Sequence, residues 1–332
     1  MSSDIKKEVW AAEKKIRDHI RRTPADFSPF LSGLANCRVF LKLEICQITG
    51  SFKFRGVVSK FLSLSDTRIK RGLVTASSGN HAAAFAHMVA TSGTKGTIYL
   101  PENASAAKIE TLRLDGVELK FHGRDCVQTE TFARREAVAS GRVFVSPYND
   151  PQIIAGQGTI AVELLEQVGT IDAVLVPVGG GGLISGIAGY LKSVDENVEI
   201  IGCQPQNSPV MQASVRAGRI LPMESKPTLA DGTAGGIEDG SITFDICRRL
   251  VDDFILVSEE EIRSALRLMI AKHQIVLEGA AALPVAAFLK SRGRFTNRNV
   301  VLILSGKKIS YRQLKSVVIE DGTGNEAPPI AK

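Results

Sequence analysis

Aromatic residues are scarce in this 332-residue chain, at 6%, with one tryptophan and four tyrosines. That leaves little to stack on bases. The formal charge of +6 looks basic, but the excess sits in scattered pairs such as Lys6-Lys7, Arg21-Arg22, Arg134-Arg135 and Lys307-Lys308. Scattered pairs mark solvated faces rather than a groove, so no nucleic-acid partner is expected. Cysteine is equally sparse: Cys37, Cys46, Cys126, Cys203 and Cys247 are odd in number and lack any CxxC spacing. This argues against a disulfide framework or a zinc site, and a reducing cytoplasm is the expected compartment. The amino-terminal stretch Met1 to Lys7 has no apolar signal core, so export is not indicated. Ala173 to Leu191 is uncharged and long enough to span a bilayer, yet its proline and glycines suit strand, loop and buried helix, and no membrane segment is expected.

What is present is an ordinary globular composition, 44% hydrophobic and 23% charged, in a chain long enough for two domains. Ile5, Val9, Ala12, Ile16 and Ile20 give Asp4 to Arg22 the spacing of an amphipathic helix, and Val39, Leu41 and Leu43 alternate as a strand. Strand and helix then alternate: a helix from Phe52 to Leu64, then Gly72 to Ala76, Asn80 to Ala90, Gly96 to Leu100, Ala104 to Leu114, Val117 to Phe121, Cys126 to Ala139 and Val143 to Val145. A second series starts near Asp150, with a helix from Ile154 to Val168, strands at Ala173 to Val178 and Val198 to Cys203, and a last buried strand at Val300 to Leu304. Ser258-Glu259-Glu260-Glu261 reads as a capping box opening a helix to Ala271. Two βα series predict an α/β protein with two sheets, and ligands in such sheets bind at the carboxyl ends of strands. The polar tail 321–332 is expected to be flexible.

Three stretches carry candidate chemistry. Lys53 lies in Glu44 to Gly56, where Thr49, Gly50 and Ser51 can hold a turn and cap a helix. A desolvated lysine loses its proton and can form an imine with an aldehyde. For that segment alone the plainer reading is a solvated lysine beside a cap. The buried strand ending in Val178 runs into Gly179-Gly180-Gly181-Gly182 and a helix. A tight turn needs fewer glycines, and bare amides at a helix start form a phosphate cradle. The Gly-x-Gly-x-x-Gly and Gly-x-x-x-x-Gly-Lys patterns are not met in their required context, so a nucleotide is the weaker choice. Ser77, Ser78 and Asn80, in Val74 to Ala82, suit a carboxylate and a phenolic oxygen, although a simple capped helix fits this stretch equally well.

Together, in this order and spacing, Thr49 to Gly56, Ser77-Ser78-Gly79-Asn80-His81 and the four glycines resemble the pyridoxal-phosphate serine/threonine dehydratase and serine racemase family of the tryptophan-synthase-β fold type, fold type II. The resemblance runs from Arg22-Thr23-Pro24 to Ser305-Gly306. It implies two domains, each a twisted, mostly parallel sheet flanked by helices: a large pyridoxal-phosphate-binding domain of residues 1–63 and 150–320, and a small one of residues 64–149. It implies that Lys53, with Phe52 before it, forms the imine and removes the substrate α-proton. Asn80 would meet the ring's phenolic oxygen, Gly179 to Gly182 the phosphate, and Ser305 the ring nitrogen. Ser77, Ser78, Asn80 and His81 would surround the amino-acid substrate, with Asp231 beside them. Ser78 matches the position on the ring face opposite the lysine, where a hydroxyl returns a proton with inversion.

The expected reaction is β-elimination from L-threonine or L-serine to a 2-oxo acid and ammonia. The alternatives are a serine racemase, a dehydratase for a bulkier β-hydroxy amino acid, a β-replacement enzyme, or a cofactor-binding protein without turnover. A homodimer follows from the resemblance, and a regulatory domain that senses isoleucine is not expected. Two departures stand out. Lys307-Lys308 follows Ser305-Gly306 where many members have Gly-Asn, and it reads as a solvated basic turn. Gln204, with the apolar Val210 after it, replaces the acidic residues of metal-activated members, so no metal is expected. Glu278 resembles a helix start near the cofactor but is given little weight.

Overall fold

An uncharged strand with apolar residues at every position needs two covered faces. The computed structural model, which describes residues 2–102, 104, 109–110, 112, 116–124 and 126–319, gives Ala173–Pro177 both. Val174 and Val176 point into one apolar core with the helices Pro151–Val168 and Gly182–Leu191, while Leu175 points into the other with the helix Gly279–Lys290. Asn299–Leu304 divides the same way, Val301 and Ile303 to the first core, Val300, Leu302 and Leu304 to the second. Burying one such side chain contributes roughly 1.5–3 kcal/mol.

Numbered in chain order, the strands are β1 Ala25–Phe27, β2 Arg38–Leu43, β3 Leu73–Ala76, β4 Gly96–Leu100, β5 Glu118–Phe121, β6 Val143–Phe144, β7 Ala173–Pro177, β8 Glu199–Pro205, β9 Asp253–Val257 and β10 Asn299–Leu304. They form a six-stranded sheet, β1-β2-β10-β7-β8-β9, and a four-stranded sheet, β5-β4-β3-β6. Every pairing is parallel except β1 with β2. The α/β class with mostly parallel sheets is therefore as the sequence predicts. The carboxyl end of β3 delivers Ser77 to His81, that of β7 the four glycines, and that of β10 Ser305.

Several boundaries differ from expectation. The amino-terminal helix ends at Ile16 and a 3₁₀ turn, Arg17–His19, follows. Helix Ile242–Leu250 and strand β9 have no counterpart in the sequence reading. The helix expected at Ala104 to Leu114 and the tail 321–332 fall largely or wholly outside the described residues. Among the described residues no helix is long and apolar enough to cross a membrane; Ala173 to Leu191 is strand, glycine loop and buried helix.

One charged cluster lies inside the fold. Arg55, fully buried, donates to Glu44 at 2.8 Å and to Glu163 at 2.7 and 2.9 Å. Lys42 on β2 donates to Glu163 at 2.6 Å and to the Thr23 carbonyl at 2.7 Å. Burial pushes the Glu163 carboxyl up, but Arg55 and Lys42 more than reverse this and hold it down at about 2. Removing one member of a buried ion group strands the others and costs about 3–5 kcal/mol. Glu163→Ala is therefore expected to lower the urea midpoint by a corresponding amount, whereas an unchanged midpoint would show that the cluster is solvated.

Candidate active site

The segment around Lys53 is held from behind by the end of β10. Ser51 bridges Gly306, the Phe52 amide donates to the Ser305 carbonyl at 3.1 Å, and the Lys307 amide donates to the Gly50 carbonyl at 3.1 Å. Gly50 accepts the left-handed backbone this requires, at φ +77°, and the Lys307 stem lies across it. Lys307 is exposed, as the reading of a solvated basic turn expects, while its stem lies against the segment. The pairing also overturns the expected cap. The helix Lys53–Leu62 follows Phe52 with no capping side chain, and the Thr49 and Ser51 hydroxyls are buried without a hydrogen-bond partner.

Lys53 opens that helix and points into a cavity of about 1230 Å³ that it shares with Ser77, Ser78, Asn80, Gly179, Gly180 and Asp231. Its amine donates to the Pro147 carbonyl at 2.7 Å and lies 5.2 Å from the centre of the Phe52 ring. Burial pulls the amine down to about 8, against the opposing charges of Glu130 and Glu278. Phe52, Gly181, Gly182 and Ser305 do not line the cavity, and Ser305 is almost fully buried.

The glycine loop has a packing reason as well as an electrostatic one. A β-carbon on Gly180 would lie 2.5 Å from the Tyr148 ring, and one on Gly179 would lie 3.1 Å from the Thr233 backbone. Gly181 adopts φ +87° ahead of the helix Gly182–Leu191. Close neighbours therefore press the loop flat while the helix start keeps its amides available for an anion.

His81 differs from its expected place. It borders the cavity, but Nε2 donates to the Val145 carbonyl at 3.1 Å and meets Thr75 Oγ1 at 3.0 Å. Burial and the Lys53 charge push the ring down to about 3, so it is neutral at pH 7. What His81 offers a carboxylate is its place in the first turn of the helix Asn80–Ser92, not an imidazolium.

The structure also brings in residues that the sequence reading passed over. Asn80 Nδ2 donates to both Glu278 oxygens, at 2.9 and 2.8 Å. Burial raises the Glu278 carboxyl to about 7, with Asn80 and Lys308 opposing and Asp231 assisting. On the opposite wall Glu130 is raised to about 7 by burial and by Glu238, and Arg134 bonds to Glu130 at 3.1 Å and to Glu238 at 3.0 and 2.8 Å. The Tyr148 hydroxyl accepts from the Glu238 amide at 2.9 Å. Glu278 alone carried a signal in the sequence, its position ahead of the helix Gly279–Lys290.

At the place considered for a cation, Gln204 is buried. Its Nε2 donates to the Val178 carbonyl at 3.1 Å and reaches the Ser208 carbonyl at 3.5 Å, while its Oε1 accepts from the Gln212 amide at 2.8 Å. The carboxamide ties the strand before the glycines to the next helix by itself. Among the described residues no group of acidic, histidine or cysteine side chains has metal-binding geometry.

The state of Lys53 can be read directly in the apoprotein. Its acetylation, followed by mass spectrometry, should rise through about pH 8, well below the exposed lysines. A Lys53 that reacts only in step with surface lysines would remove the desolvation inferred above.

Comparison with known proteins agrees with this geometry. Residues 16–306 match the family described as pyridoxal-phosphate dependent enzyme. The chain is 38% identical to an L-threonine ammonia-lyase of Thermotoga maritima over 94% of its own length and 77% of that protein's. It is 37% identical to a catabolic L-threonine dehydratase of Escherichia coli K12, covering 93% of this chain and 94% of that one. Among solved structures it superposes on maize serine racemase with a TM-score of 0.87 at 32% identity, over 93% of this chain and 95% of the other. The residues present fit the cofactor: a desolvated lysine amine, a flattened glycine loop at a helix start, and Asn80 Oδ1, buried in the wall without a partner. By sequence match and by the fit of its site, the chain belongs to the pyridoxal-phosphate dependent enzymes.

Proposed function

We propose that this enzyme is a lyase that removes water from L-threonine or L-serine and releases a 2-oxo acid and ammonia. The observation that carries the reading is the Lys53 amine, held near neutrality in a cavity shared with the serine loop and the glycine loop. The names of the L-threonine-acting relatives support the substrate class.

When bound, the cofactor supplies an electron sink for the charge left at the substrate α-carbon. Lys53 takes the α-proton, a task suited to an amine that is partly unprotonated at pH 7 to 8. Ser77, Asn80 and the helix start at His81 hold the substrate carboxylate, with Asp231 alongside. Gly179 to Gly182 would hold the phosphate, Gly179 and Gly180 at the cavity wall with the helix start just behind them, and the Ser305 hydroxyl would meet the ring nitrogen, a partner that would not force its protonation. The β-hydroxyl leaves as water, and the released enamine adds water and loses ammonia.

Ser78, also in the cavity, supports racemisation as a second reading. A cavity of about 1230 Å³ admits larger β-hydroxy amino acids than threonine. We also infer a cytoplasmic homodimer, each subunit divided into a large unit of residues 1–63 and 150–320 and a small unit of 64–149. Separate sheets support the division, and the free Cys37, Cys46, Cys203 and Cys247 support a reducing compartment.

Lys53→Ala should lose the cofactor's visible absorbance and 2-oxo acid production from L-threonine together; a variant that still makes product would overturn the assignment. Reading the chirality of serine in the same assay separates the two reactions, since D-serine outpacing pyruvate would favour the racemase. EDTA should leave the rate unchanged. Strong inhibition reversed by Mg²⁺ would show that Gln204 does not close that place to a cation.

A further inference from the structure

Elimination of water leaves one proton without a source. Lys53 takes the α-hydrogen as a proton, but hydroxide is a poor leaving group, so the β-hydroxyl has to gain a proton as its carbon–oxygen bond breaks. The α-hydrogen and the β-hydroxyl sit on adjacent carbons. The group that supplies this proton must therefore share the cavity with the Lys53 amine.

Glu130, on the helix Cys126–Ala139, meets that condition. It lines the cavity with Lys53, Ser77 and Ser78, is 18% exposed, and of the cavity's carboxyls its charge acts most strongly on the Lys53 amine. It is also the least engaged of the acids there. Among the described residues its carboxyl is bonded through Oε1 alone, to Arg134 Nη2 at 3.1 Å, and the same nitrogen lies closer to Glu238, at 3.0 and 2.8 Å. The Arg134 charge is thus shared with a second carboxylate, and burial together with Glu238 keeps a proton on Glu130 up to about 7. Other groups are committed elsewhere. Asn80 bonds both Glu278 oxygens, Arg134 both of Glu238, and His81 Nε2 turns to Thr75 and Val145. The Tyr148 hydroxyl accepts from the Glu238 amide, and burial pushes it up, away from acid duty near neutrality.

We propose that Glu130 donates the proton with which the substrate's β-hydroxyl leaves as water. This rests on the lyase reading above. Lys53 takes the α-proton, the electrons of that bond form the double bond between the α- and β-carbons, and the bond from the β-carbon to oxygen breaks with its electrons on oxygen. The Glu130 O–H completes the water molecule. Lys53 ends with one proton more and Glu130 with one fewer, so exchange with solvent between turnovers restores both, and nothing is oxidised or reduced. Arg134 is then a positioning residue, one turn further along the helix, that steadies the carboxylate so formed.

The test compares two leaving groups in the holoenzyme. L-Serine loses a hydroxyl and needs the acid, whereas β-chloro-L-alanine loses chloride, which needs no proton, and gives the same pyruvate and ammonia. Glu130→Gln should slow 2-oxo acid release from L-serine and L-threonine by roughly 100- to 10,000-fold. Its rate with β-chloro-L-alanine should stay close to that of the wild type. Equal loss on both kinds of substrate would make Glu130 a structural residue and overturn the proposal, as would an unchanged rate on the hydroxyl substrates. If Glu130→Gln fails to fold, Glu130→Asp, which withdraws the carboxyl by a methylene, is judged by the same ratio of rates. A wild-type enzyme that releases 2-oxo acid from none of these substrates refutes the lyase reading itself; a working enzyme whose ratio is unmoved by the substitution refutes the acid alone.

Discussion

The position of Lys53 depends on charges buried two residues away. Arg55 lies on the same helix as Lys53 and reaches both Glu44 and Glu163, while Glu163 also takes Lys42. Two cations and two carboxylates withdrawn from water are tolerable only when each is answered, and the answering groups come from β2, the segment after it and the helix Pro151–Val168. That network fixes how the lysine helix sits on the long helix, and the backbones confirm how close the approach is. A β-carbon on Gly156 would meet the Arg55 carbonyl at 2.6 Å, and one on Gly56 would meet Gln157 at 2.4 Å. A helix held this rigidly from behind presents its first residue to the cavity with little freedom to drift.

Just ahead of the same helix, control passes to β10. Its carboxyl end pairs with residues 50–52, so the strand that carries Ser305 also sets where Lys53 begins. Lys53 and Ser305 are thus fixed relative to each other by main-chain hydrogen bonds rather than by flexible side chains. Glu278 joins the same unit through its amide, which donates to the Gly306 carbonyl at 3.3 Å. Displacement of one of these three elements would carry the others with it.

Much of this was legible in the chain because the signals are local. β7 reads as buried since it has no polar position, and Cys126–Ala139 and the capping box at Ser258, where both reciprocal bonds form, follow from neighbours in sequence. The four glycines and the serine loop were recognisable because a strand-to-helix junction with bare amides is a local arrangement. What escaped was decided by distant partners. Ser51 has the chemistry of a cap, but β10 claims its backbone, and tertiary pairing overrides the local preference. His81 lies in a polar loop, and nothing nearby in sequence says that its ring would turn to Thr75 and Val145. Glu44, Arg55 and Glu163 look like ordinary surface charges until the fold brings them together, and Glu278 gains its meaning only from Asn80 across the cleft.

The site and the ion network act on stability in opposite senses. Glu278 and Glu130 are raised from 4.5 to about 7, so the folded protein binds more protons than the unfolded chain between those values, and stability falls as pH rises through that window. Lys53 is lowered from 10.5 to about 8, so the folded protein there binds fewer protons, and stability recovers only as pH rises from about 8 toward 10.5. The penalty from these three groups is therefore largest between about 7 and 8, the interval in which the amine and the carboxyls are divided between their two forms. Glu163 works the other way. Its carboxyl is lowered from 4.5 to about 2, so its contribution is fully present above 4.5 and is lost only as pH falls toward 2. Near neutrality the fold thus keeps the whole of the network's support while it carries the whole of the site's strain. The buried amine and carboxyls can be kept at the cavity wall because the charges behind them are paired well enough to hold the walls in place.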